Sequence, residues 1–406
     1  MAALHDKRML ASALMPKRVR SLFHGVSVAA MLCAGQAGAQ SVSVSCGNAI
    51  LTDAETQSVL FEKEADSREA PASTAKLMTA ELVFQQIAAG KLKLDDTFQI
   101  SEHAWRAGGA PSGGSSMFAQ LNSRVRIEDL IRGLVIQSGN DAAIALAEGI
   151  AGTEEAFGRM MTARAHELGM MQSTFVNPWG KGDPEQKVTA RDMALLASHL
   201  VRTYPDLYKY FGEKEFTWNK IRQMNRNPLL FMDIGADGLK TGDIAESGFG
   251  LVGSAVQNGQ RLFVVLNNCR AAKDRAEDGR KLLLWGFRSF DRKSVFAAGE
   301  TVGTAKVYGG VKGDVALVAD RPIVLFLPRG SSEKLLGKVV YEGPIPAPVE
   351  KGTKIASLKV WRGSSLVLDT PLRAAEDVPL GPLHRRAFDA GLEYGGSLIR
   401  HYVLRK

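Results

Sequence analysis

Ser73 and Lys76 lie three positions apart in the run Pro71-Ala72-Ser73-Thr74-Ala75-Lys76. A serine hydroxyl is a poor nucleophile until something takes its proton, and a lysine one helical turn away can do so when burial or a neighbouring cation keeps it neutral. Pro71 suits the start of a helix, which puts Ser73 in the first turn, where free N–H groups face a developing oxyanion.

An S-x-x-K run alone says little, since Ser331-Ser332-Glu333-Lys334 repeats it in a β-rich stretch. Two further motifs separate them. Ser138-Gly139-Asn140 offers a second hydroxyl to relay protons and an amide to hold a substrate backbone. Lys240-Thr241-Gly242 falls on an expected strand, with a glycine that lets a ligand's backbone approach closely, a platform for an extended peptide ending in a carboxylate. The three motifs together, in this order, are specific for serine acyl transfer.

The elements that must position them follow from periodicity. Ala49 to Asp53 and Ser58 to Glu62 alternate around turn residues and predict a hairpin leading into the first motif. Leu77, Leu82, Val83 and Ile87, then Leu130, Leu134, Ala143, Leu146 and Ala147, recur at helical spacing, so Ala72 to about Arg202 is expected to be mostly helix. A Gly/Ser-rich stretch, Gly108 to Ser116, interrupts it. No Gly-Lys-Ser/Thr follows, so it is no phosphate cradle and is expected to be a mobile flap.

Beyond Gly235, three β-like runs, Gly238 to Thr241, Phe249 to Val256 and Arg261 to Leu266, predict consecutive antiparallel strands. A charged helix, Asp274 to Phe287, comes next. From Arg292 to about Pro379, short Val-rich runs broken by Gly and Pro predict a second, all-β domain. The expected domains are 40–291, carrying the motifs, and 292–382, a β-sandwich.

The formal net charge is +8, which raises nucleic acid as a partner. Residues 1–39 carry +4 of it and residues 384–406 another +3, leaving too little over the body for a phosphate-neutralising groove. Nucleic acid is set aside.

Residues 1–39 place Lys17, Arg18 and Arg20 before an apolar stretch and the small run Ala37-Gly38-Ala39, the pattern of an export signal cleaved after Ala39. The apolar run is shorter than the roughly 20 residues a membrane span needs. A periplasmic protein is expected. In the tail, 383–406, Phe388, Leu392, Ile399 and Val403 share a helical face opposite basic residues. It is expected either to lie in the inner-membrane interface or to pack on its own protein.

Cys33 leaves with the leader, so Cys46 and Cys269 remain, as free thiols or as a pair. Neither has ligand-like neighbours, so no metal is expected and no organic cofactor is implied.

With P-A-S-T-A-K-L-M-T, L-I-R-G-L-V-I-Q-S-G-N-D-A-A, T-A-R-D-M-A and G-A-D-G-L-K-T-G in sequence, the chain resembles the low-molecular-weight penicillin-binding proteins, the D-alanyl-D-alanine carboxypeptidases, from about Ala49 to the C-terminus. The resemblance implies an α/β (α+β) serine transpeptidase/β-lactamase-like fold, a five-stranded antiparallel sheet flanked by helices, with Ser73, Lys76, Ser138, Asn140, Lys240, Thr241 and Gly242 in one cleft. It implies removal of the terminal D-alanine from peptidoglycan pentapeptides through an acyl-enzyme on Ser73, with β-lactams as covalent inhibitors.

By the same resemblance Lys76 is the acylation base, and Ser138 with Lys240 passes a proton to the leaving D-alanine. The backbone N–H groups of Ser73 and Asp243 form the oxyanion hole. Arg275 resembles an arginine that helps the Lys240 strand receive the substrate carboxylate, where its residue type alone reads as an ordinary helix-surface arginine. Asp243 departs from the histidine of many relatives and would repel a carboxylate unless Lys240 or Arg275 neutralises it or it points to solvent. The family's strand layout brings Cys46 near Cys269 and implies a disulfide.

Three other readings compete. A class A β-lactamase would add a Glu-x-x-Leu-Asn deacylation segment, and Met170 to Arg191 has none. A D,D-endopeptidase uses the same residues on cross-linked peptides but generally lacks the β-domain and basic tail. A non-catalytic scaffold that binds wall peptides has no need of intact Ser73, Lys76 and Ser138.

Overall fold

The computed structural model describes residues 8–11, 42–330, 334–363 and 365–391. The leader reading thus lies outside the described residues except for 8–11. So do Ser331 to Glu333 of the second S-x-x-K run and the tail beyond 391.

One compact unit is Ser41–Ser289. Its centre is a five-stranded antiparallel sheet built from β1 (Asn48–Asp53), β2 (Val59–Lys63), β3 (Ala236–Ile244), β4 (Gly248–Gln257) and β5 (Gln260–Cys269), in the order β2-β1-β5-β4-β3. The helices are α1 (Lys76–Ala88), α2 (Ile127–Val135), α3 (Asn140–Ala151), α4 (Glu154–Glu167), α5 (Ala190–Thr203) and α6 (Ala272–Ser289).

Successive side chains on a strand face opposite layers, and this sheet uses both. Ile50, Val252, Phe263 and Val265 join the core shared with α1 to α5. Their neighbours Leu51, Leu251, Leu262 and Val264 join a second core with Leu282 and Leu283 of α6. That is why the three long strands read as continuous apolar runs rather than as alternation. Gly279 and Gly286 let α6 lie close on the sheet: a Cβ on either would come 2.7 Å from Leu251 or Leu51 respectively.

The region expected to be mostly helix is more divided. A short strand pair, Thr97–Gln99 with Arg124–Arg126, lies between α1 and α2. From Leu168 to Thr189 the chain runs without a helix, held by Thr174 N–H to Lys187 O and Val188 N–H to Glu69 O, each 2.8 Å. A hairpin the periodicity did not reveal, Glu215–Trp218 with Ile221–Met224, precedes β3.

The second unit joins the chain from Phe290 onward with N-terminal residues, of which the strand Arg8–Ala11 pairs with Leu335–Glu342. It is all-β: Phe290–Phe296 pairs with Ile323–Pro328, and Thr301–Tyr308, Asp314–Val318, Leu335–Glu342, Lys354–Arg362 and Ser365–Ala374 belong to a second sheet. Ala305, Leu317, Ile323, Leu358 and Leu372 draw on both sheets to form its core. Residues 383–391 are helical, with Leu383 and Phe388 exposed. Among the described residues no helix is long and apolar enough to cross a membrane.

Candidate active site

Ser73 sits in a 3-10 turn, Ala72–Ala75, that runs directly into α1. Thr74 closes the turn, its N–H and hydroxyl both donating to Pro71 O at 3.1 and 2.6 Å. Ala72 adopts φ 48°, the left-handed region. Its carbonyl is packed so tightly by Gly180, itself at φ +87°, that a Cβ on that glycine would stand 1.8 Å from Ala72 O.

Lys76, only 1 % exposed, projects from the first residue of α1. Its Nζ lies 3.0 Å from Ser73 Oγ, 2.8 Å from Asn140 Oδ1 and 2.6 Å from Trp179 O. All three partners are neutral. Burial first, then the charges of Lys240 and Arg226, hold its pKa well below the ordinary lysine value, with Asp141 and Asp243 opposing.

Ser138 comes from the turn between α2 and α3, and Asn140 is the first residue of α3. Gly139 N–H donates to Gly133 O and Asn140 N–H to Ser115 O, both 2.8 Å, so the turn is pinned at each side of its glycine. Ser138 has φ 66° and its buried Oγ has no partner among the described residues. An unsatisfied buried hydroxyl is costly, and its place here is a site where a bound group would complete it. The adjoining Asp141 is fully buried. Its carboxylate accepts from Ser116 Oγ, Met117 N–H and Ala119 N–H at 2.7, 2.9 and 3.1 Å, tying the end of the Gly-rich loop to α3.

On β3, Lys240 is 2 % exposed and donates to Thr241 O at 2.8 Å. Burial, then Arg226 and Arg275, push its pKa down to about 7, against the pull of Asp243. Thr241 is also buried. Gly242 lies against the Ser73 turn: a Cβ there would meet Ser73 N at 2.9 Å and Thr74 N at 3.0 Å. The Lys-Thr-Gly strand and the serine turn touch only because this residue has no side chain. Asp243 is exposed to solvent.

Arg275 is no surface arginine: it is 8 % exposed, with Nη1 3.3 Å from Gly242 O and the guanidinium over the Phe249 ring at 5.6 Å. Cys46 and Cys269 are joined by a disulfide bond of 2.04 Å. The structure therefore brings Ser73, Lys76, Asn140, Lys240, Thr241, Gly242 and Arg275 into connected contact. Among the described residues no three His, Cys, Asp or Glu side chains gather as metal ligands.

Three participants carry no motif. Arg226 follows the unforeseen hairpin, its N–H 3.3 Å from Ile136 O, and its charge acts on both lysines. Trp179 contributes a backbone carbonyl, which no residue type announces, and its indole N–H donates to Glu154 Oε2 at 2.8 Å. Asp141, beside Asn140, is visible in sequence only as a charged residue at a helix start.

Comparison with known proteins agrees with this geometry. Residues 35–270 match the family model for D-alanyl-D-alanine carboxypeptidase, and residues 290–380 match that of the penicillin-binding protein 5 C-terminal domain. The chain is 38% identical over 343 residues to D-alanyl-D-alanine carboxypeptidase DacC of Escherichia coli, covering 84% of this chain and 86% of that one. The solved structure of penicillin binding protein 5 from Haemophilus influenzae aligns with TM-score 0.74 at 33% identity, over 84% of this chain and 100% of that one. Penicillin-Binding Protein D2 of Listeria monocytogenes, solved in an ampicillin-bound form, aligns with TM-score 0.55 at 28% identity over 61% of this chain and 100% of its own. This chain belongs to the D-alanyl-D-alanine carboxypeptidase family of serine peptidases.

Proposed function

We propose that Ser73 is the nucleophile and Lys76 its base in a carboxypeptidase that shortens peptidoglycan pentapeptides ending in D-Ala-D-Ala. One observation carries this assignment: a buried lysine 3.0 Å from the serine, bonded only to neutral groups, with its pKa pushed well down. Such an amine is available to accept the Ser73 proton near neutral pH.

Ser73 Oγ attacks the carbonyl carbon of the penultimate D-alanine while its proton passes to Lys76. The N–H groups of Ser73 and Asp243 receive the oxyanion. The C–N bond then breaks as the proton taken up by Lys76 is passed on through Ser138, whose hydroxyl is unengaged, with Lys240, to the departing D-alanine amine, which leaves Lys76 neutral again. Water hydrolyses the Ser73 ester and releases the shortened peptide. Asn140 holds the substrate backbone, and Lys240 and Thr241 receive the terminal carboxylate on a strand that Arg275 supports at Gly242 O.

β-Lactams are expected to acylate the same serine, as the ampicillin-bound relative suggests. The substrate and the export pattern of residues 1–39 favour the periplasm, and the basic, amphipathic tail favours contact with the periphery of the inner membrane.

The test is D-alanine release from a pentapeptide ending in D-Ala-D-Ala, with Ser73→Ala as control. Release by the wild type that vanishes in the control supports the assignment. Release that survives in Ser73→Ala sinks it. Activity confined to cross-linked dimers would identify a D,D-endopeptidase, and pentapeptide binding without turnover or penicillin adduct would identify a scaffold.

A further inference from the structure

The segment Ser43 to Gly47 runs along the start of α6 and is fastened to both sides of Arg275. On one side Gly47 N–H donates to Asn268 O at 2.9 Å and Cys46 is bonded to Cys269, three residues before α6 begins. On the other, Asp278 Oδ2 accepts from Ser45 N–H, Ser45 Oγ and Cys46 N–H at 2.7, 2.8 and 3.0 Å, and Lys281 donates to Ser43 O. Asp278 and Lys281 stand three and six residues beyond Arg275 on the same helix.

The arginine between these anchors reaches the Lys-Thr-Gly strand through Nη1, at Gly242 O (3.3 Å) and more distantly Gly250 O (3.5 Å), and its buried Nε has no partner among the described residues. So sparse a contact depends on where the helix start is held. The sheet register points the same way: Phe249, beneath the guanidinium, pairs with Cys269 on β5 and with Asp243 on β3. The disulfide thus stands in the row of residues that ends at the candidate oxyanion donor.

We infer that the Ser43–Gly47 segment, through the Cys46–Cys269 disulfide and Asp278, is a positioning strap that fixes Arg275 against Gly242 and so sets the carboxylate-receiving end of the Lys240 strand. This rests on the proposed role of that strand. Cys46, Cys269 and Asp278 are positioning residues, remote from the reacting atoms.

Two boronic acid inhibitors of Ser73, alike except that one carries a carboxylate at the position of the substrate's terminus, separate this role from general stability. Their affinities are measured for the full wild-type protein, Cys46→Ala/Cys269→Ala, Asp278→Ala, Arg275→Ala and each strap variant combined with Arg275→Ala. The strap variants are expected to bind the carboxylate-bearing inhibitor about tenfold more weakly, the size of one displaced hydrogen bond, and the carboxylate-free one unchanged. Added to Arg275→Ala they are expected to cost nothing more, because they act through that residue.

Equal weakening toward both inhibitors, full additivity with Arg275→Ala, or no weakening at all would overturn the inference. Should the double cysteine variant fail to fold, Asp278→Ala, which leaves the disulfide intact, decides it alone. A wild-type protein that releases no D-alanine would instead remove the reading on which the inference rests.

Discussion

Lys76 Nζ stands 3.0 Å from Ser73 Oγ and forms no ion pair among the described residues: its other two acceptors are the Asn140 amide and the Trp179 carbonyl. Neutral surroundings favour the uncharged amine, and a second lysine in the same site repels its proton. Most of the expected behaviour follows from this pair and Lys240.

The kcat/KM for D-alanine release is expected to be bell-shaped in pH. Its rising limb follows deprotonation of Lys76, displaced well below the usual lysine range. Its falling limb follows Lys240, held at about 7 in the free protein, as it loses the charge that receives the carboxylate. Initial rates across about pH 5 to 9 check this. Lys240→Arg, which stays charged, should abolish the falling limb, and an unchanged limb would separate it from Lys240.

Burying Lys240 costs stability with a defined pH dependence. Its folded pKa of about 7 lies below the unfolded value, so the unfolded chain binds more protons between them and stability rises with pH across that window. The penalty is full below about pH 7 and gone above about pH 10.5. Lys240→Met is therefore expected to inactivate the enzyme while raising its Tm at pH 7 by a few degrees, with the gain shrinking toward pH 10. Thermal melts at the two pH values test the sign.

Gly180→Ala is expected to lose penicillin acylation and about 1–3 kcal/mol of stability. The new methyl would drive into Ala72 O and towards Ser73 N, at 1.8 and 2.8 Å, from a backbone at φ +87° that disfavours any side chain. Labelling with a fluorescent penicillin and a denaturant melt read both effects. Normal labelling would show that the serine turn does not depend on this contact.

Asp243 is exposed, and its charge favours the protonated forms of Lys76, Lys240 and Arg275. Asp243→Asn removes both that support and the repulsion of the substrate carboxylate. The expected result is a KM lowered about 2–5-fold at low salt, an advantage that fades as ionic strength rises, with the alkaline limb moved to lower pH. A KM indifferent to the substitution and to salt would place the carboxylate away from Asp243.

Trp179→Phe keeps an aromatic ring but removes the N–H that donates to Glu154 Oε2, on the carboxylate whose other oxygen, Oε1, lies 2.6 Å from His103 Nε2. Loosening the loop that presents Trp179 O to Lys76 is expected to lower the acylation rate about tenfold with little change in KM. Stopped-flow acylation measures it, and a change confined to KM would assign the indole to substrate binding.

The sequence by itself determined the local chemistry. Pro71 to Lys76, Ser138 to Asn140 and Lys240 to Gly242 each lie within a single turn or strand, where residue spacing dictates which side chains face together. The three long strands were legible as apolar runs separated by Gly and Asn turns, and α6 as a charged run after them, because these signals too are local. The hairpin Glu215 to Met224 was not: its residues are largely exposed, so burial imposes little pattern on them.

Only the tertiary structure decided what this chemistry becomes. Whether Lys76 is a base depends on burial and on Lys240 and Arg226, 164 and 150 positions away. Arg275 reads in sequence like any helix arginine, and folding makes it the buried partner of Gly242 O. The carbonyl of Trp179 has no side-chain signature at all. Spacing along a chain reports which groups can meet within a turn; the dielectric and the charges around a proton are set by residues that come together only when the chain folds.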